Sequence, residues 1–269
     1  MEDKILKQIY ESLYRGEPVA LAIITNIKGS TPRKSGSIMA VWKDGRISGS
    51  VGGGPMEHKI ILKSIECIKE NTQKEFSYNL TENGELDARC GGELHGFIKL
   101  FTPKPKLIIA GAGHIGKYLF KFGKLLGFHT AIFDDREEFT NDDFFKDSDE
   151  IVQGDIGENL SKYPIDKSTY VIIVTKGHKD DFKALKAVVL KDTAYTGMIG
   201  STKKILFILN KLIEEGVPKN TLEKVYTPIG LNIASEKPEE IAFSILSEIL
   251  LVKNKGSLEH SKDIKKINL

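Results

Sequence analysis

The chain has 269 residues, 40% of them hydrophobic and 28% charged, the balance of an ordinary globular protein with core material for two small domains or one large one. No apolar run approaches the roughly 18–20 residues of a membrane span, and the start, Met1-Glu2-Asp3-Lys4, lacks the apolar stretch of a secretory leader, so the expected setting is cytoplasmic, without a membrane partner. The formal charge of +2 sits in the tail, where Lys253 to Leu269 holds five lysines against Glu259 and Asp263; the remainder is close to neutral and forms no electrostatic footprint for nucleic acid.

Ile5, Leu6, Ile9, Tyr10 and Leu13 recur at helical spacing, which predicts an opening helix ending near Gly16. Val19 to Ile27 is β-branched and reads as a strand, broken by Gly29-Ser30-Thr31-Pro32. Ser37–Trp42 and Arg46–Val51 form a predicted hairpin turning at Lys43-Asp44-Gly45. After Gly52-Gly53-Gly54, Pro55 stands where a first helical residue would, and the helix is expected to run to about Glu70, burying Met56, Ile60, Ile61, Ile65 and Ile68. Strands near Glu75–Leu80 and Glu93–Phe101 follow, separated by a loop holding Cys90-Gly91-Gly92. Two cysteines, Cys67 and Cys90, build neither a disulfide framework nor a structural zinc site, and suit a reducing compartment.

Thr102-Pro103-Lys104-Pro105 marks the expected domain boundary: an α+β domain over 1–102, a Rossmann-like domain over 106–252, and a flexible basic tail over 253–269. Beyond the prolines, strand and helix alternate, the pattern of a parallel sheet in an α/β domain. Strands are predicted at Lys106–Ala110, His129–Phe133, Glu150–Gln153, Tyr170–Thr175 and Ala194–Ile199. Helices are predicted at Ile115–Leu126, Phe182–Leu190, Lys203–Glu215 and Glu239–Val252.

Gly111-Ala112-Gly113-His114-Ile115-Gly116 follows the first of these strands and opens a helix striped by Ile115, Leu119, Phe122 and Leu126, with Gly127 at its end. Gly111 suits the tight turn, Gly113 the close approach of a pyrophosphate, and Gly116 close helix–strand packing. The helix start supplies unpaired N–H groups to phosphate. Asp134 ends the next strand, where this fold places an acid against a ribose 2′-hydroxyl. That favours NAD, FAD or another adenine nucleotide over NADP; Asp135 strengthens the bias, and Arg136 weakens it.

A second glycine turn, Gly197-Met198-Ile199-Gly200-Ser201, leads into a helix beginning Thr202-Lys203-Lys204. Two lysines there oppose the helix dipole, which fits either an anionic ligand or plain solvation. Thr175-Lys176-Gly177-His178-Lys179-Asp180-Asp181 follows a buried strand and is expected at the carboxyl edge of the sheet, with His178 or Asp181 as a proton carrier, or else as an exposed charged loop.

In the first domain, three Gly-rich loops stand out: Gly29-Ser30-Thr31-Pro32-Arg33, Gly49 to Glu57 with its triple glycine, and Cys90-Gly91-Gly92-Glu93. The triple glycine offers N–H groups to an anion, and Arg33 a bidentate contact. Taken alone they fit tight turns of a small sheet equally well. No Gly-Lys-Ser/Thr follows them, which excludes a P-loop.

Together, these loops resemble the XdhC/CoxI family, the accessory proteins of xanthine dehydrogenase and related molybdenum hydroxylases. The resemblance runs to about Val252 and includes, besides the motifs above, Phe133-Asp134-Asp135-Arg136, Thr175-Lys176-Gly177-His178 with Asp181, Pro228-Ile229-Gly230-Leu231, and Pro238-Glu239-Glu240-Ile241-Ala242. It implies a chaperone that binds molybdenum cofactor (molybdopterin), supports its maturation and delivers it to an apo molybdenum hydroxylase, as a homodimer. The implied cofactor contacts are Ser30, Arg33, Gly52, Gly53, Gly54, Glu57, Cys90, Gly91 and Gly92 in the first domain. In the second they are Gly111, Gly113, His114, Ile115, Gly116, Asp134, Asp135, Arg136, Thr175, His178, Gly200, Ser201 and Lys203.

A thiolate suits molybdenum. Many members place a cysteine directly after the triple glycine, where this chain has Pro55, so Cys90 is left as the motif cysteine and the implied metal ligand. Cys67 lies among apolar helix neighbours and is expected to be structural. His58 and His95 are expected on ordinary helix and strand faces. The alternatives are an NAD(P)-linked oxidoreductase and a non-catalytic nucleotide-sensing module; the fold alone does not separate them.

Overall fold

The computed structural model describes residues 2–29, 34–79, 92–140 and 142–264. The chain divides into two compact units, Met1–Lys104 and Pro105–Leu269.

In the first unit, α1 (Glu2–Tyr14) precedes β1 (Val19–Lys28), β2 (Ile38–Trp42) and β3 (Ile47–Gly49); α2 (Gly54–Glu70), β4 (Lys74–Asn79) and β5 (Glu93–Phe101) follow. The five strands form a sheet in the order β3-β2-β1-β5-β4, with every pairing antiparallel. Successive side chains of a strand point to opposite faces. Accordingly Ala20, Ala22 and Ile24 of β1 pack with Met56 and Ile60 of α2, whereas Val19 and Leu21 pack with Ile5 and Ile9 of α1. Both faces of the sheet are thereby covered by a helix. Gly96 of β5 leaves room for the Phe76 ring, whose Cζ lies only 2.1 Å from where a Cβ would stand.

Two expectations for α2 shift. Pro55 is the second helical residue, because Gly53 is the N-cap and Gly54 opens the helix. Ser64 and Cys67 are buried where Ile61 and Ile65 were expected, and those isoleucines are half-buried. Cys67 is fully buried in the apolar core, and burial pushes its thiol up from the ordinary range.

The second unit contains β6 (Lys106–Ala110), α3 (His114–Leu125), β7 (His129–Asp134), α4 (Glu137–Thr140), β8 (Glu150–Gln153), α5 (Ile156–Lys162) and β9 (Thr169–Ile173). It continues with α6 (His178–Val188), β10 (Tyr195–Met198), α7 (Thr202–Glu214), α8 (Lys219–Leu222), α9 (Pro238–Asn254) and α10 (Ser261–Ile264). The strands form a parallel sheet in the order β10-β9-β6-β7-β8. Alternate residues of β6 supply two cores. Ile108 and Ala110 pack with α5, α6 and α7 through Leu160, Leu185 and Ile208. Leu107 and Ile109 pack with α3 and α9 through Leu119, Ile245 and Ile249. Helices on both faces explain why β9 is buried at all five positions.

The helix α5 was not expected. Asp155 caps it by accepting from the Glu158 N–H at 2.9 Å, and Gly157 packs so close to α6 that a Cβ would lie 2.7 Å from the Lys183 Cβ. Leu126, expected on the buried stripe of α3, is 40% exposed; Gly123 takes the inward position instead, 2.6 Å from Leu107 Cδ2 to its missing Cβ. The tail is helical in part: α9 runs through Asn254, and α10 is an exposed turn. No helix among the described residues is long and apolar enough to cross a membrane.

Candidate functional site

The sheet of the second unit turns at β6. The chain moves outward from β6 to β7 and β8, then crosses back to β9 on the other side. The connections from β6 and β9 leave in opposite directions, which makes the carboxyl ends of these two strands the switch point where sheets of this kind form their ligand crevice.

Gly111 has φ +118°, and a Cβ on it would meet the Val174 carbonyl oxygen at 2.5 Å. A Cβ on Gly116 would meet the Gly111 carbonyl oxygen at 2.1 Å. These two glycines let the loop fold between β9 and α3. Gly113 differs: it is the N-cap of α3 with ordinary φ, and nothing lies within 4 Å of its missing Cβ. Its face is open, and the amides of Gly113, His114 and Ile115 donate to no described group. Open amides at the start of a 12-residue helix suit an anion.

Asp134 ends β7 and is 1% exposed. Its Oδ2 accepts from the Ala112 N–H at 2.7 Å and from Arg136 Nη2 at 2.8 Å. Its Oδ1 accepts from the Arg136 N–H at 3.0 Å and from Arg136 Nε at 2.8 Å. Burial alone would raise this carboxyl, but the Arg136 guanidinium and the two amides hold it below the ordinary value. The guanidinium carbon lies 3.9 Å from the Phe139 ring centroid. The carboxylate expected to face a ribose is therefore turned into the wall of the crevice, and Asp135 beside it is exposed.

The segment after β9 is shorter than expected, because α6 begins at His178 with Gly177 as its N-cap. His178 stands exposed at the first helical position, as His114 does on α3. Asp181 is fully buried, which removes it as a solvent-facing proton carrier. One of its oxygens accepts from the Thr175 hydroxyl at 2.6 Å, and the other pairs with the Lys204 ammonium. Burial outweighs both partners and pushes the Asp181 carboxyl up. Lys204 is thus committed to an internal partner, whereas Gly200 is half-buried and Ser201 and Lys203 are exposed at the start of α7. Thr175, Asp181 and Lys204 join the ends of β9, α6 and α7, a link that no short motif announces.

The segment after α8 lies along β10. Tyr226 bridges Gly197 in parallel, and Gly230 donates to Glu248 Oε2 at 3.0 Å. The same oxygen takes the Tyr195 hydroxyl, so α9 pins the Pro228-Ile229-Gly230-Leu231 segment.

In the first unit the triple glycine meets an anion that belongs to the chain. Glu57 Oε2 accepts from the Ser50 hydroxyl at 2.6 Å, the Val51 N–H at 2.9 Å and the Gly53 N–H at 3.1 Å. Burial would raise Glu57, yet these donors hold it below its ordinary value. Gly53 and Gly54 have φ of +77° and +66° and open space where a Cβ would stand. Gly92 is buried just before β5. Ser30, Arg33, Cys90 and Gly91 lie outside the described residues. His58 is exposed on α2, and His95 Nε2 lies 3.3 Å from Glu93 Oε1. Among the described residues no three His, Cys, Asp or Glu side chains gather as a metal site.

This geometry accords with what the chain is similar to. The XdhC Rossmann domain family model matches residues 107–249, and that of the XdhC and CoxI family matches residues 12–79. The uncharacterized protein YqeB of Escherichia coli (strain K12) is 34% identical over 240 residues, covering 88% of this chain and 44% of that protein. A Bacillus subtilis (strain 168) protein named as a probable xanthine dehydrogenase subunit is 27% identical over 154 residues, covering 57% of this chain and 44% of its own. The molybdenum cofactor insertion chaperone PaoD of Escherichia coli (strain K12) is 21% identical, covering 93% of this chain and 88% of that one. This chain spans less than half the length of the first two. A crystal structure described as a xanthine dehydrogenase from Bacillus halodurans shares the fold, with a TM-score of 0.53 at 21% identity over 96% of this chain and 98% of that one. The chain belongs to the XdhC and CoxI family.

Proposed function

We propose that this protein is an accessory protein of a molybdenum hydroxylase of the xanthine dehydrogenase type, which binds the molybdenum cofactor and passes it to the apo-enzyme. The observation that carries this is the pairing of an open anion-binding helix start, at Gly113, His114 and Ile115, with a buried and fully engaged Asp181. Such a helix start holds a phosphate-bearing ligand well, while Asp181, one of the two expected proton carriers, is sealed beneath Thr175 and Lys204.

The residues present fit the organic part of the cofactor: the α3 amides suit the pterin phosphate, and exposed His178, Ser201 and Lys203 stand at the same sheet edge. Cys67 is buried in the core and does not fit a metal ligand. The thiolate that the family resemblance offers to molybdenum is that of Cys90, the motif cysteine. In the first unit, Glu57 orders the Gly52-Gly53-Gly54 loop, leaving Gly53 and Gly54 open for approach. The names of PaoD, a molybdenum cofactor insertion chaperone, and of the Bacillus subtilis relative support the accessory role.

The test is transfer. Protein loaded with molybdenum cofactor, mixed with an apo-hydroxylase of this type, is expected to restore its activity, and Gly113→Ala is expected to weaken loading. Loaded protein that leaves the apo-enzyme inactive would contradict the proposal. Cofactor retention by Cys90→Ala equal to that of the wild type would remove the thiolate assignment alone.

A further inference from the structure

Asp134 occupies the position from which an acid reads a ribose diol in dinucleotide-binding folds, but its geometry is that of a positioning group. A carboxylate offers about four lone-pair sites. Here four donors fill them: Ala112 N–H and Arg136 Nη2 on one oxygen, Arg136 N–H and Nε on the other. With the residue 1% exposed, neither oxygen faces solvent to meet a hydroxyl. Opening the site to a ribose diol would displace the bidentate guanidinium from a buried carboxylate, giving up an ion pair and two charge-assisted bonds for two bonds from neutral hydroxyls. The amide it holds belongs to Ala112, between the two glycines of the ligand loop, so the carboxylate fixes that loop directly.

We propose that Asp134 is a positioning residue that locks the Gly111–Gly113 loop and Arg136 together, and that the crevice consequently does not distinguish ribose from 2′-deoxyribose. This rests on the crevice being the ligand site proposed above, and it sharpens the ligand class: recognition runs through the anionic group rather than through a sugar diol. The Asp134 position, taken as a sign of NAD over NADP, carries no such preference in this protein.

Two measurements test it. Calorimetric titration of the full-length protein with ADP and with 2′-deoxy-ADP is expected to give dissociation constants within twofold of each other, in the wild type and in Asp134→Asn alike. A fivefold or greater preference for ADP in the wild type that disappears in Asp134→Asn overturns the proposal. Hydrogen exchange of the ligand-free protein supplies the second arm. The Ala112 amide is expected to exchange at least tenfold faster in Asp134→Ala, or in Asp134→Asn if the alanine variant does not fold, and an unchanged rate overturns the positioning role. If neither nucleotide binds, exchange at Ala112 decides the positioning role. The ligand reading is judged separately, by cofactor transfer to the apo-hydroxylase.

Discussion

The Lys204 ammonium is paired with the fully buried carboxylate of Asp181, so the first turn of α7 is tied to the first turn of α6 at the ligand edge of the sheet. The pair also accounts for one of the two lysines that oppose the α7 dipole, since its charge is met from within the chain. Only Lys203 remains facing solvent there.

Breaking this pair from one side leaves a buried charge without its partner. Lys204→Met is expected to destabilise the protein by about 3–5 kcal/mol at neutral pH, whereas Asp181→Asn with Lys204→Met recovers most of that loss. The sign of the pH dependence follows from the raised Asp181 carboxyl. A carboxyl raised in the folded state takes up protons on folding, so its contribution is full at low pH and is lost as pH rises through the folded value. Removing Lys204 raises that carboxyl further and steepens the loss; the double variant abolishes it. Urea denaturation between pH 4 and 8 measures all three proteins.

Glu57 gives the opposite sign. Its carboxyl is held below the ordinary value near 4.5, so its contribution is full above that pH and is lost as pH falls through the lower folded value. Glu57→Gln is therefore expected to be less stable than the wild type at pH 7, with the gap closing below pH 4.5. A gap that persists unchanged at pH 3 would show that the amides of Val51 and Gly53 do not depend on the charge.

The glycines of the fingerprint separate fold from ligand. Gly116→Ala drives a Cβ against the Gly111 carbonyl and is expected to cost about 3 kcal/mol or more, because neither backbone can yield. Gly113→Ala meets open space at an ordinary φ and is expected to cost only about 1 kcal/mol, as alanine does at an N-cap. Thermal melts rank the two. Gly113→Ala then becomes the variant in which a loss of cofactor reports on the site rather than on folding.

Much of this architecture is legible in the sequence because local pattern and tertiary role coincide. The strands Glu93–Phe101, Lys106–Ala110 and Glu150–Gln153 begin and end where their residue types change. The fingerprint glycines Gly111 and Gly116 are legible for the same reason, since each answers a backbone contact. The start of α6 is not, because His178-Lys179-Asp180-Asp181 reads as a charged loop until Lys204 and Thr175 bury Asp181. The place of Asp134 is legible but its role is not: Arg136, two residues on, decides whether the carboxylate faces a ligand or the wall. Glu57 hides likewise, because an acid in the first turn of a helix is ordinary until it folds back onto the loop before it.

Whether this chain holds the molybdenum cofactor is tested most directly by the molybdenum and pterin content of the protein purified without oxygen from cells that make the cofactor, alongside Gly113→Ala. Stoichiometric molybdenum and pterin are predicted on the wild type, with a marked loss on a variant that remains folded. A wild-type protein that carries neither, and takes up neither when offered free cofactor, would contradict the proposed role.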